Sequence, residues 1–132
     1  MRCLGVDFGG KRIGIAVGDA KFRVTSARPP LGAAGDLRKD ALAIAELARR
    51  EGVDAIVLGI PFAQDSRMQS VCLQLAERIR EQGLSVQTVD ESFTSIESES
   101  NLRGLGGTAA KRRRMRDGEA ARLILERFFE TA

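Results

Sequence analysis

Apolar and polar positions alternate with two distinct periods along this chain, and the period changes where turn residues fall. From Arg2 to Phe8 the period is two: Leu4, Val6 and Phe8 point to one face, Cys3, Gly5 and Asp7 to the other. Both faces are apolar apart from Asp7, as expected of a central strand covered on both sides. Gly9-Gly10 supplies a turn that tolerates positive φ. Ile13, Ile15 and Val17 then alternate with Gly14, Ala16 and Gly18 in a second strand, whose small-residue face lets a helix or a substrate approach closely. Residues 22–28 read as a third strand, stopped by Pro29-Pro30.

Beyond the prolines the period becomes helical. Asp36 is placed to cap a helix running to about Arg50, with an apolar stripe of Leu37, Ala41, Ile44 and Ala48 and with Gly52 closing it. Residues 55–60 are continuously apolar, as in a buried parallel strand, and Pro61 ends the run. Met68, Val71, Cys72, Leu75 and Ile79 mark a second helix, with Gly83 just past its end. Val86 to Val89 reads as a further strand leading into Asp90-Glu91. Residues 93–102 suggest a short helix, residues 104–107 a flexible glycine loop, and Ala109 to about Phe129 a final long helix.

This order, three strands in a meander followed by helix, strand, helix, strand, helix, predicts one α/β domain over residues 1–132. It is a mixed five-stranded sheet whose first three strands form an antiparallel meander, with right-handed β-α-β crossovers and helices on both faces. No apolar run approaches the roughly 20 residues of a membrane span, and the N-terminus enters a strand pattern directly, so the expected location is the cytoplasm. The two cysteines, Cys3 and Cys72, are too few for a disulfide framework and too far apart for a metal-binding pair; they read as reduced, packed thiols.

Composition narrows the chemistry mainly through absences. The 132 residues include no His, Tyr or Trp, which excludes Ser-His-Asp and Cys-His catalysis, His-ligated zinc and a tyrosine nucleophile within the chain. Hydrolysis here would rest on carboxylates around Mg²⁺ or Mn²⁺, cations that prefer oxygen ligands. Six Phe are the only aromatic residues, which argues against extensive base stacking.

Three acidic positions stand out. Asp7 ends the central strand and Glu91 ends a later parallel strand, where ligands gather in open α/β sheets. Asp117 shares a helical stripe with Ala121, Ile124 and Phe128, so its carboxylate continues a core-facing side, which is costly without a partner. Each has a structural alternative: a turn-forming Asp for Asp7, a solvated strand end for Glu91, and for Asp117 a salt bridge to a neighbouring Arg at the helix start. Jointly, in a chain without His, they favour a shared cation.

These segments resemble a known family. Residues 6–14, Val-Asp-Phe-Gly-Gly-Lys-Arg-Ile-Gly, look like the opening motif of the YqgF/RuvX family, which has the ribonuclease H-like fold. Residues 90–95, Asp-Glu-Ser-Phe-Thr-Ser, resemble its second motif, and residues 117–125, Asp-Gly-Glu-Ala-Ala-Arg-Leu-Ile-Leu, its third. Gly59-Ile60-Pro61 with Asp65 matches the loop after the fourth strand. The resemblance implies a small cytoplasmic nuclease processing the 5′ end of the 16S ribosomal RNA precursor, with ribosome association as a corollary, or a Holliday junction resolvase acting on branched DNA. By position it carries over Asp7, Glu91 and Asp117 as metal-binding catalytic acids. Ser92 stands where the family usually has Arg, Ala63 and Ser66 where Asn and Gly are common, and Gly118 loosens the final helix by up to ~1 kcal/mol relative to Ala.

The net charge is only +3, so a polyanionic partner must be argued from clustering. Lys111-Arg112-Arg113-Arg114-Met115-Arg116 places five cations in six residues at a helix start, where they oppose the dipole and repel one another. Arg112, Arg113 and Arg114 are therefore expected to bind a nucleic-acid backbone, together with Lys11 and Arg12 beside Asp7, without reading sequence. Two other classes compete. The Asp-Phe-Gly-Gly turn also looks like the first phosphate loop of the actin and sugar-kinase superfamily, whose members need two such lobes to enclose ATP. A non-catalytic RNA-binding assembly factor with the same fold is the third reading.

Overall fold

The computed structural model describes residues 1–62, 66–90 and 109–131, the last segment with side chains from residue 116 onward. Its strands are β1 (Arg2–Phe8), β2 (Arg12–Asp19), β3 (Val24–Gly32), β4 (Ala55–Ile60) and β5 (Val86–Asp90); its helices are α1 (Leu37–Glu51), α2 (Ser66–Arg80) and α3 (Ala109–Thr131). One five-stranded sheet has the order β3-β2-β1-β4-β5. The meander is antiparallel, and β4 and β5 run parallel to β1.

The alternation along β1 separates two cores. On one face Leu4, Val6, Phe8, Ile56 and Leu58 pack against α1 through Ala41, Ile44 and Ala48, and against α2 through Cys72, Leu75 and Ile79. On the other, Cys3, Ala16, Val57 and Val89 pack against Ala121, Ile124, Leu125 and Phe129 of α3. Central β4 is buried along its whole length, which is why its sequence carries no polar alternation. Both cysteines are free and buried, and burial pushes the Cys3 thiol above its usual pKa.

Local signals set the helix ends. The Asp36 carboxylate accepts from the backbone N–H groups of Arg38 and Lys39, capping α1, and Gly52 closes it in the left-handed conformation at φ 64°. Glu51, at the end of α1, takes Arg2 of β1 at 3.0 Å and Arg28 of β3 at 3.2 Å, which pins the helix end to the meander.

The third strand departs from expectation. Phe22 and Arg23 belong to the β2–β3 turn, where Asp19 Oδ1 accepts from the N–H groups of Lys21 and Phe22, and the strand continues through Pro29-Pro30 to Gly32. Proline stops a strand only where its missing N–H is needed. Here β3 is an edge, and both prolines fall where the β2–β3 register shifts, between the Ile15–Arg28 and Ile13–Leu31 pairs. The expected helix over 93–102 and the glycine loop at 104–107 lie outside the described residues. Among the described residues no helix is long and apolar enough to cross a membrane.

Candidate active site

Asp7 is the penultimate residue of β1 and stands half-buried on the face covered by α3. Its cross-strand partner is Gly14 of β2. Directly opposed residues in an antiparallel pair share a face, so the space beside Asp7 is what Gly14 leaves open. Helix α3 takes that space: a Cβ added to Gly14 would collide with the backbone carbonyl of Asp117. Further along the same seam a Cβ on Gly5 would fall 2.7 Å from the Ala121 carbonyl oxygen. From the helix side, one on Gly118 would fall 2.9 Å from the Ala27 Cβ of β3. The small-residue face of β2 and β1 thus serves a helix, and it delivers Asp117 to the strand position opposite Asp7. Gly118, which reads in the sequence as a weak point in the helix, is the residue that lets α3 settle on β3.

The Asp117 carboxylate is mostly shielded, at 18% side-chain exposure, and Arg12 Nε donates to its Oδ2 at 2.5 Å. A salt bridge is one expected alternative for Asp117, but the partner comes from β2 across the fold rather than from the helix start. Arg12 is 38% exposed, so the pair contributes on the order of 1 kcal/mol or less to stability; its larger effect is to orient the carboxylate. The sequence places Arg12 at the nucleic acid, and the structure places its Nε on Asp117. Lys11 is exposed on the neighbouring turn.

On the other side of the sheet's carboxyl edge, Arg127 of α3 donates through Nη1 to the Asp90 carbonyl at 2.7 Å and ties the end of β5 to the helix. Glu91, the next residue, lies outside the described residues, as do the side chains of Arg112, Arg113 and Arg114. Accordingly, no group of three acidic, His or Cys side chains gathers among the described residues. The two acids that are described fit a hard divalent cation in kind, since both offer carboxylate oxygens, and Asp117 would share or exchange its Oδ2 with the Arg12 guanidinium.

Sequence reading missed two polar networks. Arg122 makes a bidentate pair with Glu119, at 2.6 and 3.0 Å, bonds Thr25 Oγ1 of β3 at 3.0 Å and also pairs with Glu126; these carboxylates raise its pKa further. The i−3 and i+4 spacing of Glu119 and Glu126 was a usable signal. Asp40, 2% exposed, was also missed; its Oδ1 accepts from the Ala34 N–H at 2.7 Å.

With this geometry in place, comparison with known proteins is decisive. The family model described as RuvX: Holliday junction resolvase matches residues 1–131. The chain belongs to the RuvX family. A relative from Anaeromyxobacter dehalogenans (strain 2CP-C), which bears the provisional name pre-16S rRNA nuclease, is 38% identical over 130 residues, covering 96% of this chain and 94% of its own. Among solved structures, Thermus thermophilus RuvC aligns with TM-score 0.57 at 13% identity over 99% of this chain and 96% of its own. Fowlpox virus resolvase, solved with Holliday junction DNA, aligns with TM-score 0.57 at 13% identity over 99% and 98%. At such identities these neighbours establish the ribonuclease H-like fold of this RuvX chain.

Proposed function

We propose that this RuvX protein is a metal-dependent nuclease that hydrolyses phosphodiester bonds in structured nucleic acid, and that its substrate is the 5′ region of the 16S ribosomal RNA precursor. The observation that carries the reading is the convergence of Asp7 and Asp117 through Gly14, at the carboxyl edge of a ribonuclease H-like sheet. Membership of a resolvase family and the names of its curated relatives support nuclease chemistry. A cytoplasmic location and contact with ribosomal particles go with the RNA substrate.

In this reading Asp7, Glu91 and Asp117 hold Mg²⁺ or Mn²⁺, which supplies Lewis acidity, activating water and neutralising charge at the scissile phosphate. Arg12 fixes the rotamer of Asp117 and offsets carboxylate repulsion before the cation binds. Lys11 and Arg112 to Arg114 hold the flanking backbone. Cleavage of branched DNA is the second reading, favoured by the family description. Side-by-side cleavage of a ribosomal RNA precursor and a four-way DNA junction, with Asp7→Asn as control, tests both. Mg²⁺-dependent cutting of the RNA, lost in the variant, is expected. Cutting of the junction alone would move the assignment to DNA, and cutting by Asp7→Asn in a pure preparation would overturn the metal-site reading.

A further inference from the structure

The turn between β2 and β3 presents Phe22, which at 69% exposure is the most exposed large apolar side chain among the described residues. Cations flank it in the chain. Lys21 Nζ stands 5.4 Å from the ring centroid, within the range of a cation–π contact. Arg23 follows at φ 53°, in the left-handed region that residues other than glycine adopt at a cost. The turn is tied down beneath the ring. Asp19 Oδ1 accepts from the N–H groups of Lys21 at 2.8 Å and Phe22 at 3.3 Å, and the Ala20 N–H donates to the Met1 carbonyl at 2.9 Å. A phenyl ring held out in this way adds little to the core, so packing does not explain it.

The charge around it has a direction. Residues 20–35 contain Lys21, Arg23 and Arg28 and no acid. They include the turn and all of β3, the sheet edge, whose Gly32 end pairs with Arg12 beside Asp117. Glu51 and Glu126, which reach this strip from the flanking helices, are each paired with arginine. One edge of the sheet is thus open to a polyanion from the acid pair to Phe22. The route covers Gly14 to Ala20 along β2, about 20 Å at ~3.3 Å per residue. That length matches about six base pairs of duplex at ~3.4 Å each.

A ring between two cations calls for a partner that offers flat apolar faces and regularly spaced anions. Single-stranded nucleic acid offers both, and stacking of a base on an aromatic side chain tolerates any sequence. Duplex bases are already stacked, and a polyanion without bases would leave the ring unused. We propose that the β2–β3 turn is a single-strand contact, in which Phe22 stacks on one unpaired base and Lys21 and Arg23 meet the adjoining phosphates. The inference rests on the nuclease reading and narrows its substrate to structured nucleic acid with an unpaired stretch about six base pairs from the cut.

The chain has no Trp or Tyr, so Phe22→Trp in the full chain provides an indole reporter at the turn. Without divalent cation, an RNA hairpin carrying an unpaired uridine flank is expected to quench that indole, whereas a blunt hairpin and inorganic polyphosphate are not. Phe22→Ser should leave Tm nearly unchanged, as at other surface positions. By fluorescence anisotropy it should bind the flanked hairpin about tenfold more weakly and the blunt hairpin as before, while Phe22→Trp keeps the preference. Replacing Lys21 and Arg23 with Gln should lower the salt slope by about 0.7 for each phosphate released. Equal quenching by polyphosphate, or unchanged affinity of Phe22→Ser for the flanked hairpin, would overturn the contact. So would an indole shift produced by phosphatidylglycerol vesicles or by raised protein concentration in place of RNA. Quenching in a chain that cuts neither RNA nor DNA would keep the contact and sink the nuclease reading; cleavage without quenching would do the reverse.

Discussion

Gly14 lies directly beneath Asp117, with no room between them for a side chain. The position of one acid therefore depends on the smallness of a residue on the strand paired with the other. Gly14→Ala would lift α3 from the sheet at Asp117. Expected outcomes are a drop of about 1–3 kcal/mol in stability to denaturant, as for other overpacked sites, and a proportionally greater loss of cleavage. Normal activity at reduced stability would mean that Asp117 is not held by this close approach.

If Asp117 holds the proposed cation, Arg12 and that cation would compete for one carboxylate. In Arg12→Gln the apo protein should lose up to about 1 kcal/mol, because the pair is partly exposed. The rise in Tm on adding Mg²⁺ should be larger than in the wild type, since the cation no longer displaces a guanidinium. An identical Mg²⁺ increment in both proteins would remove Asp117 from the metal site.

Asp7→Asn, Glu91→Gln and Asp117→Asn should each reduce Mg²⁺- or Mn²⁺-dependent cleavage by at least about a hundredfold, in line with the loss of one charge-stabilising group. Far-UV circular dichroism should remain unchanged. A variant that still cleaves at the wild-type rate would release that residue from the catalytic set.

Replacing Arg112, Arg113 and Arg114 with Gln should weaken nucleic-acid binding and lower the slope of log K against log salt by about 0.7–0.9 for each phosphate no longer neutralised. The measurement is fluorescence anisotropy over a salt series. An unchanged slope would assign the cluster to another role.

Glu51 links pH to stability. Its hydrogen bonds to Arg28 and Arg2 hold its carboxyl below the ordinary value. A depressed folded-state pKa contributes stability that is complete above the unfolded carboxylate pKa, about 4.3, and is lost as pH falls through the folded value. Wild type should therefore lose stability relative to Glu51→Gln as pH drops below about 5, with a difference at neutral pH of about 1 kcal/mol or less for these part-exposed pairs. Parallel Tm curves for the two proteins between neutral and acid pH would contradict the linkage.

Most of the sheet and all the described helices were readable because each rests on a local signal. Asp36 and Gly52 bound α1, alternation defines β1 and β2, and the unbroken apolar run of β4 states its burial. Pro29-Pro30 misled because their cost depends on which strand lies alongside, and that is known only once β3 is an edge. At the site, chain position singled out Asp7 and Asp117, but nothing in the sequence links Arg12 to an acid 105 residues away. The same holds for Asp40, whose polarity on an otherwise apolar helix face makes sense only beside the Ala34 N–H that it accepts from. Pairings made by tertiary approach leave no period to read.

The same prolines that prolong β3 also limit what can happen along it. A strand from another molecule laid against this edge would meet two positions without a donor and a shifted register within nine residues. Sheet growth from copy to copy is thereby frustrated at the longest exposed edge. Copies of this chain held close together therefore gain no ready strand-to-strand pairing along β3.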